Sequence, residues 1–195
     1  TYNDNKIDKL VASDDPNYKI LHGGLAVGDS GSDGIQAWAV GHPVSAYYTY
    51  QQVYDQNGLP IEGEFVDRNG DGIINSNDRY FYKKADADVL MGFTSKLIYK
   101  NWDFSFSLRA SLGNYAYNAV EASNSNVEVE RLYNGSSWHN VPTMVLEKKW
   151  NYVSTEDGLS DYFIQNASFL KCDNITVGYS FEKLFSLPIS GRIYA

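Results

Sequence analysis

The sequence predicts an all-β chain of antiparallel strands joined by long loops, and three observations carry that prediction. In Trp102-Asp-Phe-Ser-Phe-Ser-Leu-Arg-Ala-Ser-Leu112 apolar and polar residues alternate without a break, the period of a strand with one apolar and one polar face. Aromatic residues are abundant, with 16 Tyr, 9 Phe and 4 Trp, and tyrosine at that density suits strands, carbohydrate contacts and membrane-interface girdles alike. Between the strand-forming runs stand clusters of Asp, Asn, Gly, Ser and Pro, the residues of turns.

A chain of 195 residues is long enough for one domain with a sizeable core. Its formal charge of −8 and pI near 4.8 exclude nucleic acid as a partner, because no basic stripe exists to replace counterions on phosphate. Cys172 is the single cysteine, so no internal disulfide forms. No apolar run reaches the roughly 18 residues of a membrane helix, and nothing at Thr1 reads as a signal peptide.

Taken in order, Thr1 to Pro16 is polar, with a short strand expected near Lys6 to Val11. Leu21 to Gly34 is packed with turn residues and reads as loop. Ile35 to Tyr54 predicts two short strands broken at Gly41-His-Pro43. Strand formers resume at Leu59 to Val66 and at Arg79 to Lys83. Phe93, Leu97 and Tyr99 then alternate with polar neighbours, and Lys100-Asn101 serves as a two-residue turn into the Trp102–Leu112 strand. Each arm of this hairpin has the length of about ten residues that a tilted strand needs to cross a membrane. Asn114 to Gly158 is a long, mixed excursion in which Val127 to Leu132 and Thr143 to Trp150 fit short helices or strands, and it suits the long outer loops of a porin-like barrel. A third strand region covers Tyr162 to Ile164 and Ser168 to Phe181, with a bulge expected between Lys171 and Asn174. Phe185 to Pro188 reads as a turn and Gly191 to Ala195 as the start of another strand.

One stretch prescribes chemistry by its spacing. In Asp67-Arg-Asn-Gly-Asp-Gly-Ile-Ile-Asn-Ser-Asn-Asp78, the residues Asp67, Asn69 and Asp71 stand at positions 1, 3 and 5 of a calcium loop. Gly72 takes the sharp turn, Ile73 offers its carbonyl at position 7, Asn75 stands where a ligand acts through water, and Asp78 closes the loop as the ligand at position 12. Calcium needs several hard oxygens about one point, and alternate residues of a tight loop supply them. The closing residue is the shorter Asp rather than Glu, and strand formers rather than helices flank it, so a bound calcium is structural rather than signalling. Asp, Asn and Gly are also ordinary turn residues, and a metal-free Asx turn fits the same stretch.

These residues together carry a family resemblance. Gly41-His-Pro43 with its Tyr-rich strand is followed by Asp67 to Gly72 with Asp78, then by Gly92-Phe-Thr-Ser-Lys-Leu-Ile-Tyr-Lys-Asn-Trp-Asp-Phe-Ser-Phe106. Gly113-Asn-Tyr115, Lys149-Trp150 and Ser168 to Phe181 come after them in the same order. The chain resembles the C-terminal part of the barrel in SusC/RagA-type TonB-dependent outer-membrane transporters. The resemblance implies antiparallel strands forming part of a 22-stranded outer-membrane β-barrel, located in a Gram-negative cell. It implies nutrient uptake of glycans or peptides, a SusD-like lipoprotein as partner and energy from the TonB system. Residues 1–195 would then be a partial barrel segment with no plug domain and without the last strands. Cys172 and Asp173 depart from the family's more usual apolar and basic or polar residues. Transport would belong to the parent protein, because a few strands cannot close a barrel in lipid.

No catalytic constellation stands out, and the chain reads as not an enzyme. His22, His42 and His139 lack metal-ligand spacing, Cys172 has no paired His, and Glu156-Asp157 beside Gly158 reads as a solvated turn. Trp102, Tyr99 and Tyr179 fit an interface girdle or the core of a soluble sheet, while Tyr133, Trp138 and Trp150 are candidates to touch substrate or the lipoprotein. The alternative reading is a secreted, calcium-stabilised β-domain that binds carbohydrate. What the stripe Trp102, Phe104, Phe106 and Leu108 faces decides between them: a soluble domain buries it against a second sheet, and a barrel turns it to lipid.

Overall fold

The computed structural model describes residues 1–11, 13, 15, 17–24, 34–124, 133–134, 137–138, 143–148, 150, 154–183 and 188–195. The first strands are β1 (Ile20–His22), β2 (Gln36–Trp38), β3 (Ala46–Thr49), β4 (Gln52–Tyr54), β5 (Pro60–Phe65) and β6 (Tyr80–Lys84). A long hairpin of β7 (Val89–Tyr99) and β8 (Trp102–Leu112) follows, then β9 (Tyr115–Tyr117) and helix α1 (Ala119–Asn124). Beyond it lie β10 (Tyr133–Asn134), β11 (Ser137–Trp138), α2 (Thr143–Lys148), α3 (Thr155–Gly158), β12 (Ile164–Asn166), β13 (Phe169–Phe181) and β14 (Gly191–Tyr194).

The chain divides into two compact units. One comprises 1–3, 87–113 and 167–195 and holds a four-stranded antiparallel sheet in the order β14-β13-β8-β7. The hairpin closes where the sequence predicted, with Lys100 at φ 52°, the left-handed conformation that a two-residue hairpin turn demands. Asn101 ties that turn to β13: its side-chain amide donates to the Ser180 carbonyl at 2.8 Å, and the Ser180 N–H donates back to the Asn101 carbonyl at 2.8 Å. The expected bulge is present, because the β13–β8 register slips between Cys172 and Asn174. That slip sets Asp173 beside Arg109, with which it pairs at 3.0 Å.

The other unit, 4–86 and 114–166, contains the sheet β1-β2-β3-β6 and the pairs β4-β5 and β9-β12. Its apolar cores gather Ile35, Tyr47, Tyr50, Phe65, Leu159 and Ile164 in one cluster and Ala122, Trp150 and Phe163 in another.

Three expectations are corrected. Among the described residues no strand forms near 6–11, where Ile7 exchanges backbone hydrogen bonds with Gly41 and His42. The segment from Ile35 to Tyr54 makes three strands rather than two: Tyr50 leaves the ladder of β3 to form a parallel bridge with Ser160, flanked by bonds to Leu159 and Asp161. Asp157 is no solvated turn residue. It is 2% exposed, completes a capping box with Ser154, and accepts the Gly63 N–H at 2.9 Å. The segment 127–132, His139, most of the glycine-rich loop and 185–187 lie outside the described residues.

Candidate functional site

Strand register sorts the four-stranded sheet into two chemically distinct faces, because directly paired residues of neighbouring strands share a face. Tyr99, Trp102 and Tyr179 stand in one row, Leu97, Phe104 and Val177 in the next, and Phe106 and Ile175 beyond them. Past these come Phe93 with Leu108 and Met91 with Ala110 and Leu170. This face is uncovered: Phe93 is 57% exposed, Leu97 61%, Trp102 54% and Ile175 61%. A soluble domain would bury such a stripe against a second sheet, so the exposure removes the principal support of the soluble alternative.

At one edge of the apolar face the three amphipathic aromatics form a belt, with the Trp102 and Tyr179 ring centroids 4.8 Å apart. The opposite face carries the charged and hydroxyl side chains, with Leu90, Ile98 and Phe169 among them. Arg192 makes a bidentate pair with Asp103, Arg109 pairs with Asp173, and the Thr94 and Ser107 hydroxyls lie 3.1 Å apart. Strand β8 has 11 residues. At about 3.3 Å per residue and a tilt of about 45°, such a strand rises by roughly the 25 Å of an outer-membrane apolar band.

The stretch from Asp67 to Asp78 folds as a network of side chain to backbone bonds. Asp67 accepts the Gly70 and Gly72 N–H groups at 2.6 and 2.8 Å, Asn69 accepts that of Asp71 at 3.0 Å, and Asp71 accepts that of Ile73 at 2.8 Å. Gly70 and Gly72 take φ of 75° and 79°, which only glycine adopts without strain. Asp78 is 0% exposed. Its carboxylate accepts N–H groups of Arg68 at 2.9 Å, Asn69 at 3.3 Å and Asn75 at 2.9 Å, closing a capping box over the 3-10 turn Ser76–Asp78. Asp78 thus draws the ends of the loop together by itself. Asp67, Asn69, Asp71 and the Ile73 carbonyl lie on the exposed side and each accepts a hydrogen bond within the loop; they are also the type of hard oxygen a calcium ion takes. Among the described residues no three His, Cys, Asp or Glu side chains are placed to share a metal.

The remaining candidates separate. Trp150 is 4% exposed, donates its indole N–H to the Pro60 carbonyl at 2.8 Å and packs edge-on to Phe163, so its place is the core rather than an open surface. Tyr133 and Trp138 are backbone register partners in the short β10–β11 ladder. His42 stacks on Phe81 at 3.7 Å, and burial, aided by Lys19, pushes its pKa down. The sequence reading missed a buried cluster: Lys148 pairs with Glu121 at 3.0 Å, and Glu121 also accepts from Tyr162, Gln165 and Asn118. The Lys148 ammonium lies 4.9 to 5.1 Å from the ring centroids of Trp150, Tyr162 and Phe163.

Three antiparallel strands of membrane-spanning length, β7, β8 and β13, with the four-residue β14 at their edge, apolar with an aromatic belt on one face and carrying the charged side chains on the other, have the character of part of an outer-membrane β-barrel wall. No family model matches the chain. It is 47% identical over 199 residues to the TonB-dependent receptor SusC of Bacteroides thetaiotaomicron, covering 100% of this chain and 20% of SusC. It is 24% identical over 204 residues to the TonB-dependent receptor P3 of Formosa agariphila, covering 94% of this chain and 19% of P3. Its fold is similar to that in the structure of the RagAB peptide transporter, with a TM-score of 0.52, 17% identity, and coverage of 81% of this chain and 19% of that one. Over its whole length the chain is thus similar to part of a SusC/RagA-type TonB-dependent receptor, a class of outer-membrane proteins that are not enzymes. It spans about a fifth of the length of these relatives.

Proposed function

We propose that this chain forms part of a 22-stranded barrel through which a parent protein imports glycans or peptides, energised by TonB and assisted by a SusD-like lipoprotein. The observation that carries the reading is the two-faced sheet: Tyr99, Trp102 and Tyr179 ring one edge of an apolar surface, while Asp103, Arg109, Asp173 and Arg192 line the other side. A barrel wall needs this division, since one side meets hydrocarbon and the other a polar lumen. The calcium-type loop belongs to the same reading. A calcium ion held by Asp67, Asn69, Asp71, the Ile73 carbonyl and Asn75 would brace a loop that Asp78 closes, neutralising charge rather than building the fold.

The test is disruption of the gene in the native producer, with antibody to this chain. Outer-membrane fractions should show a band several times longer than 195 residues that migrates differently when unboiled and co-purifies with a lipoprotein. The mutant should lose growth on one glycan or on peptides. A soluble band of the chain's own size, or growth unchanged on every carbon and nitrogen source, overturns the reading.

A further inference from the structure

In the unit built from 4–86 and 114–166, β4 and β6 meet Asp161 through Gln52 and Tyr80, and Tyr54 and Tyr82 stand two residues further along those strands. The Tyr80 hydroxyl donates to Asp161 Oδ2 at 2.6 Å and the Gln52 N–H donates to Oδ1 at 3.0 Å, so the carboxylate is fixed at both oxygens. Arg68, whose backbone is clamped by Asp78, lays its guanidinium 4.3 Å from the Tyr80 ring centroid and donates to Gln51 Oε1 at 2.7 Å. The Tyr82 ring lies 5.7 Å from that of Tyr80, and the Lys83 ammonium stands 5.5 Å from the Tyr82 centroid. Tyr80 is therefore immobilised, whereas Tyr54 and Tyr82 remain 48% and 38% exposed. Burial, and after it Asp161 and the Tyr82 hydroxyl, raises the Tyr54 pKa, which keeps that phenol a neutral donor.

Packing does not account for this arrangement. The two apolar clusters of the unit form without Tyr54, Tyr80 or Tyr82. Stiff rings with two rotatable bonds lose little entropy on binding, and beside a fixed carboxylate and a planar guanidinium they supply what a sugar ring requires: an apolar surface for its C–H face and hydrogen-bonding groups for its hydroxyls. Charge narrows the ligand. The sheet unit has the basic residues Lys96, Lys100, Arg109, Lys171, Lys183 and Arg192 against four acidic ones, a formal charge of +2, so the other unit carries −10 and repels polyanions. Resting on the transporter reading above, we propose that Tyr54 and Tyr82, with Asp161 and Arg68, form a subsite for an uncharged glycan.

The test uses the full-length parent protein in outer-membrane vesicles. The probes are oligomers of α-glucan, β-glucan, mannan and fructan, a polygalacturonate oligomer and a casein digest. One neutral series should bind. The pair Tyr54→Ala and Tyr82→Ala should weaken it about ten-fold or more, while Tyr54→Phe with Tyr82→Phe, which keeps both rings, should lose about three-fold or less. Unchanged heat-modifiable migration and protease pattern verify assembly, and Tyr82→Ser alone carries the test if the alanine pair fails to assemble. Wild-type affinity in the alanine pair, or binding of only polygalacturonate, only peptides or no probe, overturns the subsite. Growth after gene disruption is read separately: lost growth with unaltered binding in the alanine pair sinks the subsite and leaves the transporter standing, whereas unaltered growth sinks the transporter.

Discussion

Asp103 and Arg192 meet across a strand that has no side chain in the way. They lie on β8 and β14, which flank β13 on either side, and Arg192 reaches Asp103 over Gly178. A Cβ at Gly178 would stand 2.5 Å from Asp103 Oδ1 and 2.7 Å from Arg192 Nε. The glycine is thus required by the ion pair and not by its own backbone angles.

Gly178→Leu should part the pair and cost about 1–3 kcal/mol through overpacking. Assembly of the parent barrel, followed by heat-modifiable migration in a urea series, measures the loss. An unchanged midpoint would mean that the neighbouring strands shift at no cost.

The two faces of the sheet predict opposite responses to one charge. Phe106→Arg places a guanidinium on the apolar face, in the middle of β8, and should cost about 2–4 kcal/mol. Ser107→Arg, one residue on and on the polar face, should be nearly silent. Equal effects at both sites, read by the yield of folded protein in the outer membrane, would refute the assignment of lipid and lumen faces.

Much of this sheet was legible in the sequence because its information is local. The Trp102–Leu112 alternation, the Lys100-Asn101 turn and the disturbance before Asn174 each lie within one strand or one hairpin, where a period of two and turn chemistry suffice. Trp150 and Asp157 were misplaced for the opposite reason. Their burial follows from partners far away in sequence, Pro60 and Phe163 for Trp150 and Gly63 for Asp157. Likewise the spacing of Glu121 and Lys148 has no helical or strand period to announce a pair, and Gln52 and Tyr80 converge only because Asp161 returns to them late in the chain.

The Glu121–Lys148 pair is 4% and 2% exposed at its side chains, and burial holds the Lys148 pKa down against the opposing pull of Glu121. Removing either partner leaves a buried charge without its counter-ion. Lys148→Met alone should therefore destabilise this unit by about 3–5 kcal/mol, and Lys148→Met with Glu121→Gln by much less. Limited proteolysis at graded urea measures both. Additive losses would mean that the two residues act independently.

Calcium should tighten the 67–78 loop without altering the strands. Chelation with EGTA should speed proteolytic cutting inside the loop while heat-modifiable migration persists, and Asp71→Ala should abolish the difference. Identical cutting rates with EGTA and with calcium would leave the loop as a metal-free Asx turn.

The closing residue predicts how the same loop behaves in acid. The Asn75 amide, followed by those of Asn69 and Arg68, holds the Asp78 carboxyl below the usual carboxylate range, against burial, which raises it. The folded loop therefore binds this proton less readily than the unfolded chain. The stability contributed by Asp78 is complete above the unfolded value of about 3.9 and is lost as pH falls through the lower folded value. Pepsin, which is active in that range, should cut near Ile73 and Ile74 increasingly as pH drops below about 4, and Asp78→Asn should already be cut rapidly at about pH 4. If the variant and the wild type follow the same pH course, Asp78 does not clamp the loop.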